Sequence, residues 1–164
     1  MTGNDGKKSV LMVCLGNICR SPIAEAVFID CLKKRGIEDD WHVDSSAIIG
    51  YHTGKGPDSR AMGALRKYGI RDYQHRARVT TPEDIRNFDY IFGMDDSNIE
   101  DLKEIEQKVP KSERKAQILM LGPQDPHGKR EVPDPYYESG SAQFDVVLQQ
   151  CVKCCESFLD KIYQ

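Results

Sequence analysis

A short segment near the start of the chain constrains the fold more than any other feature. An apolar run at residues 10–13 leads into the sequence CLGNICRSP at residues 14–22, and an apolar helical pattern follows it. The run predicts a buried strand. The pattern predicts a helix with Ser21 as its N-cap and Pro22 at its first position. The segment between them is therefore predicted to join the carboxyl end of a strand to the amino end of a helix.

Strand and helix patterns alternate along the rest of the chain. Thr80 and Glu83 predict a capping box at the start of one of the later helices. Four strands separated by helices predict an α/β fold: a three-layer structure in which a four-stranded parallel sheet carries helices on both faces, with residues 14–20 forming the loop after the first strand. Beyond the first strand and helix, predicted strands lie within residues 41–49, 90–92 and 118–121, and predicted helices begin near residues 58, 80, 95 and 141.

Composition narrows the classes of function. The 164 residues suit one domain, residues 1–164, of which we expect the polar residues 1–8 to be flexible. The net charge of −3 excludes the strong positive field that recruits nucleic acid. No apolar run approaches the ~20 residues that span a bilayer, and the polar start lacks the apolar segment of a signal peptide. We therefore expect a cytoplasmic monomer with neither a membrane span nor a nucleic-acid partner.

The six cysteines are expected to be reduced thiols, because no secretory signal accompanies them. Cys151, Cys154 and Cys155 recur at helical spacing without a second ligand pair, so we expect core residues rather than zinc ligands. His42, His52 and His127 lack a ligand-like spacing and are expected to be exposed or locally bonded. The sequence thus predicts no metal and no cofactor.

The loop after the first strand has the groups needed to bind a phosphate and attack it. Its backbone N–H groups can form an anion-binding nest, and the following helix adds the positive end of its dipole. Gly16 and Asn17 tolerate the positive φ that such a nest requires. The Arg20 guanidinium fits two phosphate oxygens. The same positive surroundings favour the thiolate of Cys14, a competent nucleophile, to which Ser21 can donate a hydrogen bond.

A general acid is needed to protonate the leaving oxygen. Asp134 lies between Pro133 and Pro135 and is followed by Tyr136 and Tyr137. A carboxylic acid on a stiff backbone, with two aromatic rings next to it, is suited to act as a general acid above a pocket for a phenyl group. Asp-Pro is also a common turn signal, so the residues alone leave both interpretations open. A Walker-type nucleotide loop is excluded at residues 50–56, which are one residue too short for it.

The chain resembles the low-molecular-weight protein tyrosine phosphatases over nearly its whole length. The resemblance lies in CLGNICRSP near the start, DPYY at residues 134–137, and shorter segments such as FDYI at residues 88–91. It implies metal-free hydrolysis of protein phosphotyrosine and small aryl phosphates through a phosphocysteine, with inorganic phosphate or a similar oxyanion bound in the loop. It implies catalytic roles for Cys14, Arg20 and Asp134.

The resemblance also assigns supporting residues. Those expected to bind the substrate are Leu15, Gly16, Asn17, Ile18, Cys19, Tyr51, Tyr136 and Tyr137. Those expected to support the loop by hydrogen bonds are Ser21, Ser45 and His75, together with the side chain of Asn17. Tyr136 and Tyr137 also resemble tyrosines that kinases phosphorylate in relatives.

Four positions differ from those in particular groups of relatives. Tyr51-His52 stands where vertebrate relatives have Trp-Asn, and Gly93 stands where they have a cysteine. Bacterial relatives that act on phosphoarginine carry threonine at the position of Ile18. The isoleucine here therefore favours phosphotyrosine.

Alternatives remain open for the role of Cys19 and for the function of the chain. Cys19 is either a small core residue or the partner that resolves oxidised Cys14 to a disulfide, and the family resemblance supports the redox role. Two other functions remain possible on the residues: an arsenate reductase of the same fold, which needs late shuttling cysteines, and a phosphotyrosine-binding module, which would lack the nucleophile or the acid.

Overall fold

A four-stranded parallel sheet forms the centre of the molecule. In the computed structural model, which describes residues 6–164, the strands stand in the order β2-β1-β3-β4. The sequence predicted this α/β arrangement and all four strands, and both are confirmed. The strands are β1 (Lys8–Cys14), β2 (Trp41–Ala47), β3 (Tyr90–Gly93) and β4 (Gln117–Met120).

Five α-helices cover the two faces of the sheet. Successive residues of a strand point to opposite faces, and the four core residues of β1 divide accordingly. Val10 and Met12 belong to the core shared with α1 and α5, whereas Leu11 and Val13 belong to the smaller core shared with α3 and α4. The helices are α1 (Arg20–Arg35), α2 (Ser59–Tyr68), α3 (Pro82–Asn87), α4 (Asp96–Gln107) and α5 (Ala142–Ile162).

Two predicted helix starts are wrong, that of α1 by two positions and that of α3 by one. Helix α1 begins at Arg20 after Cys19, which makes no side-chain cap, and Ser21 lies inside the helix. Its hydroxyl instead serves the phosphate loop, as described below. The capping box of α3 joins Thr81 to Asp84, not Thr80 to Glu83. In both cases the tertiary contacts of the side chains decide the register of the first turn.

The first residues of the chain fall partly outside this description. The sequence predicts that residues 1–8 are flexible. Residues 1–5 lie outside the described part of the chain, and Lys8 already belongs to β1. Within residues 6–164 no helix is both long and apolar enough to cross a membrane.

Candidate active site

A cavity opens where the carboxyl end of β1 meets two other loops. The phosphate loop (residues 14–20) forms its floor, the segment 49–52 after β2 forms one wall, and the acid loop (residues 132–140) forms another. Predicted site residues that line the cavity are Cys14, Leu15, Gly16, Ile18, Cys19, Arg20, Tyr51, Asp134, Tyr136 and Tyr137. Ile49 and His52 also line it, and the sequence did not predict them there. Asn17 does not; its side chain is buried behind the loop.

The Cys14 sulfur lies at the bottom of the cavity and receives hydrogen bonds from the loop. The Asn17 backbone N–H donates to Sγ at 3.3 Å, and the Ser21 hydroxyl lies 3.1 Å from Sγ. Because the Asn17 side-chain amide donates to Ser21 Oγ at 2.7 Å, the Ser21 O–H remains free to donate to the sulfur. Two hydrogen-bond donors therefore point at the sulfur.

Asn17, not Gly16, provides the left-handed backbone of the phosphate loop. Asn17 has φ 58° and is the one non-glycine residue in the described range 6–164 with positive φ. Gly16 does not have positive φ, contrary to the expectation from sequence. Position 16 lies close to the rim of the cavity: a Cβ there would be 3.0 Å from Cδ2 of His52, so that ring would have to shift by a few tenths of an ångström. The glycine thus allows the rim histidine to close against the loop.

The Asn17 side chain holds the loop from behind. Its amide nitrogen donates to Ser21 Oγ and Ser45 Oγ at 2.7 and 3.0 Å. Its carbonyl oxygen accepts from the Arg78 backbone N–H at 3.2 Å and lies 2.7 Å from His75 Nε2. Since that oxygen can only accept, Nε2 carries the proton. Four partners, three of them from distant segments, therefore fix one side chain of the loop.

Glu25 extends this network and was missed by the sequence analysis. It is 6% exposed, and its Oε1 accepts from Ser45 Oγ at 2.6 Å and from the Tyr73 hydroxyl at 2.7 Å. Burial raises its pKa to about 7, although both hydrogen bonds oppose the rise. Burial also lowers the pKa of His75, against the opposing charge of Asp44. The signal that could have identified Glu25 in the sequence was its position as a single carboxylate among the apolar residues at the start of α1.

Glu25, Asp44 and His75 are also the described residues best arranged to hold a cation. Their ligand atoms lie within 4.8 Å of one another. Each already has internal partners, however: Arg78 donates to Asp44 at 3.0 Å, and Asn17 faces His75. These bonds neutralise the group without a metal. By contrast, the three cysteines of α5 are fully buried core residues, as predicted.

Arg20 is buried beside the sulfur and is held by groups from two other loops. Its Nη1 donates to Asp95 at 2.6 Å and to the Val132 carbonyl at 3.0 Å, while Nη2 lies 3.6 Å from Asp134. Burial alone lowers the pKa of Arg20, but the negative charge of Cys14 and the two aspartates outweighs it and raises that pKa. Asp95 was predicted only as the cap of α4, a role it also has through Asn98 N–H at 2.8 Å.

Asp134 reaches the cavity from the acid loop. Its Oδ1 accepts from the Tyr136 backbone N–H at 3.0 Å, and its side chain is 26% exposed. The carboxyl group therefore has both a fixed orientation and access to solvent. That combination suits a group that must exchange protons with a substrate and with water.

Aromatic side chains form the rim of the cavity. Tyr51 and Tyr137 are 76% and 77% exposed. The His52 ring packs edge-on against Tyr51, with centroids 4.7 Å apart, and lies 5.9 Å from the Tyr136 ring. Among the ring contacts of the described chain, this cluster is the one that borders the phosphate loop. An aromatic group entering between these rings would reach the sulfur at the base.

Cys19 lines the same cavity but in a different environment from Cys14. Burial raises the pKa of the Cys19 thiol, and the negative charges of Asp58 and Cys14 raise it further. Cys19 is 3% exposed and belongs to the main core. It is therefore held as a neutral thiol.

Comparison with known proteins identifies relatives along nearly the full chain. The family model described as low molecular weight phosphotyrosine protein phosphatase matches residues 9–164. A mouse protein named low molecular weight phosphotyrosine protein phosphatase is 49% identical over 158 residues, which cover 96% of this chain and 98% of the relative.

Solved structures agree with this relationship. The crystal structure of Primo-1 has a TM-score of 0.86 and 44% identity, with coverage of 96% of this chain and 99% of that one. The crystal structure of DARP, a drosophila arginine phosphatase, has a TM-score of 0.88 and 32% identity, with coverage of 94% and 98%. The chain belongs to the low molecular weight phosphotyrosine protein phosphatase family.

Proposed function

We propose that this protein hydrolyses protein phosphotyrosine and small aryl phosphates without a metal, through a phosphocysteine intermediate. One observation carries the proposal: a hydrogen-bonded cysteine sulfur, a buried arginine and a carboxylic acid share a cavity whose rim is aromatic. The name of the mouse relative at 49% identity and the match to the family support the same activity.

In the first step, the Cys14 thiolate attacks the phosphorus of the bound ester. The S–P bond forms as the bond from phosphorus to the phenolic oxygen breaks, and Asp134 gives its proton to that oxygen. Arg20 and the backbone N–H groups of residues 15–20 neutralise the equatorial oxygens. Since Asp134 lies 3.6 Å from Arg20, acid and anion site are adjacent.

In the second step, water releases the phosphate. The Asp134 carboxylate, now unprotonated, accepts a proton from the water that attacks phosphorus. The S–P bond breaks, and the electron pair returns to Cys14, where Ser21 and the Asn17 N–H stabilise the thiolate. Inorganic phosphate is then left in the loop. The bonds of Asn17 to Ser45 and His75 keep the loop in shape throughout.

The substrate preference follows from the walls of the cavity. Tyr51, Tyr136 and Tyr137 offer faces and edges for a phenyl ring. Ile18 presents a branched apolar side chain and no hydrogen-bond acceptor for a guanidinium, which supports phosphotyrosine over the phosphoarginine that the name of the drosophila relative suggests for that relative. Turnover of phosphotyrosine and phosphoarginine by the same enzyme preparation would rank the two.

Regulation and setting extend the proposal. With peroxide as oxidant, Cys14 would form a sulfenic acid, and the Cys19 thiol would displace water to give a disulfide. Both sulfurs line the same cavity.

All six cysteines are free thiols, which supports a cytoplasmic location. One continuous sheet supports a single domain, and we expect that domain to be monomeric.

The proposal is tested by the hydrolysis of an aryl phosphate in the presence of a chelator. Wild type should be active, and Cys14→Ser should lose at least about 10³-fold in kcat/KM, because a serine hydroxyl is a far weaker nucleophile than a thiolate. Equal rates in the two proteins would exclude the phosphocysteine. Phosphate binding without hydrolysis by wild type would favour a binding module, and thiol-dependent reduction of arsenate would favour an arsenate reductase.

A further inference from the structure

Arg60, outside the cavity, holds the far end of the acid loop. This side chain lies near the start of α2. Its Nη2 donates to the Tyr136 carbonyl at 3.1 Å, and its Nη1 donates to the carbonyls of Glu138 and Gly140 at 2.8 and 3.4 Å. Arg20 holds the near end through the Val132 carbonyl. The acid loop is thus attached to the rest of the protein by an arginine on each side of Asp134.

The Arg60 guanidinium is itself fixed in place. Nε and Nη2 donate to the two oxygens of Asp58, each at 3.0 Å, and the plane lies 4.5 Å from the centre of the buried Phe144 ring. With its three bonds to the acid loop, all five N–H donors of the guanidinium are used. A lysine has three donors without the planar fork and cannot reproduce this pattern.

The contacts of Arg60 connect the acid to the nucleophile. The Tyr136 peptide that gives its carbonyl to Arg60 gives its N–H to Asp134 Oδ1 at 3.0 Å. On the other side, the backbone N–H of Asp58 donates to the Ile18 carbonyl in the phosphate loop at 2.8 Å. One short chain of bonds therefore runs from the phosphate loop through Asp58 and Arg60 to the carboxyl group of the acid.

We propose that Arg60 is a positioning residue for the general acid, setting the distance between Asp134 and the phosphate loop. The proposal rests on the proposed function, in which Asp134 protonates the leaving oxygen. Loss of the guanidinium would free the Tyr136 peptide and let the carboxyl group move. Misplacement of a catalytic group by about 1 Å can reduce a rate by about 10²-fold. Only substrates that need the proton would be affected strongly.

The test compares kcat/KM for phenyl phosphate, whose leaving group is poor, with that for p-nitrophenyl phosphate, whose leaving group is good. For Arg60→Ala we expect a fall of about tenfold with the first and about twofold or less with the second. Arg60→Lys should fall in between. The ratio of the two values does not depend on how much of the protein is folded, so a purely structural effect would leave it unchanged.

Lys67→Ala is the matched control, because Lys67 lies on the same helix and bridges to Asp145 on α5 at 2.7 Å without touching the acid loop. It should leave the ratio unchanged. Combining Arg60→Ala with Asp134→Asn should add no further leaving-group dependence. If Arg60→Ala does not fold, Arg60→Lys decides, with an expected change of about threefold in the ratio.

The outcomes separate the two proposals. An unchanged ratio in Arg60→Ala or Arg60→Lys, with a changed ratio in Asp134→Asn, would overturn the role of Arg60 and leave the acid in place. An unchanged ratio in Asp134→Asn itself would overturn the role of Asp134 as the acid, and with it the role of Arg60, whereas the phosphocysteine is tested separately by Cys14→Ser. A leaving-group effect of Arg60→Ala that persists fully in the Asp134→Asn background would also contradict positioning through Asp134.

Discussion

The phosphate loop and the acid loop meet in one cavity but are held in opposite ways. Asn17, Ser21 and Ser45 are fully buried, and their bonds form a closed network under the phosphate loop. The acid loop is mostly exposed and depends on Arg20 and Arg60, whose bonds go to its backbone carbonyls.

The difference follows from what each loop contributes to the reaction. An anion site works best when its donors are already in place, because they need not reorganise as charge develops. A general acid must meet solvent as well as substrate, so its loop cannot be buried to the same degree. The comparison predicts that changes in the phosphate loop reduce stability and activity together, whereas changes in the acid loop affect activity alone.

The largest effect is expected at Asn17. Asn17→Ala removes the partner of four groups behind the loop and places alanine at positive φ. We expect the free energy of unfolding to fall by about 4 kcal/mol and kcat/KM to fall by about a hundredfold, since unsatisfied buried groups cost about 1–3 kcal/mol each. Urea unfolding and steady-state kinetics would measure both.

Asn17→Gly separates the side chain from the backbone. Glycine accepts positive φ, so about 1 kcal/mol of the lost stability should return while the loss of activity remains. Full recovery of activity in Asn17→Gly would show that the backbone, not the buried network, holds the loop. That result would contradict the part of the comparison in which the buried network holds the phosphate loop.

A somewhat smaller effect is expected from pH acting on Glu25. Its pKa in the folded protein is raised from 4.5 to about 7, so between these values the folded state holds a proton that the unfolded state has lost. Stability must then fall as pH rises through this window, by up to about 3 kcal/mol, and become independent of this group above pH 7.

Glu25→Gln should lack this fall while keeping an oxygen for Ser45 and Tyr73. The measurement is the free energy of unfolding from pH 4.5 to 8 for wild type and the variant, with the exposed Glu100→Gln as control. Parallel curves for wild type and Glu25→Gln would mean that the support of the phosphate loop does not titrate in this range.

The smallest effect is expected at Tyr137 on the acid loop. This residue is 77% exposed, and its ring meets the Tyr136 ring edge-on, with centroids 5.0 Å apart. Tyr137→Ala should change the free energy of unfolding by less than about 0.5 kcal/mol and raise KM for a phosphotyrosine peptide by about fivefold, through lost aromatic contact. A loss of stability comparable to that of Asn17→Ala would contradict the comparison.

Much of the fold was predictable because its signals are local. The apolar runs of the sequence coincide with β1 and β3 in the structure. Helices α1 and α2 end where Gly36 and Gly69 follow them. The starts of α1 and α3 were not predictable to one residue, whereas those of α2, α4 and α5 were. Ser21 has the chemistry of an N-cap, but its hydroxyl is taken by Cys14 and Asn17, and only the folded chain shows that choice.

The residues of the site also divide into those with a local signal in the sequence and those without one. Cys14 and Arg20 follow from one short segment. For Asp134 the neighbouring prolines and tyrosines left a general acid and a turn both open, and the family resemblance assigned the catalytic role. Glu25, Asp95 and Arg60 were missed, since each acts through a partner far along the chain. Arg20 and Asp95 are 75 positions apart, and Arg60 and Tyr136 are 76 apart.

The sequence by itself therefore determined the alternating α/β plan and the phosphate loop with its nucleophile, because the groups that form them lie within a few residues of one another. The tertiary structure decided how the acid meets that loop. Arg20 reaches the acid loop across 112 positions of sequence, and Arg60 closes its other end. Such contacts depend on the packing of α2 against α1 and α5, and no local pattern of residues encodes it.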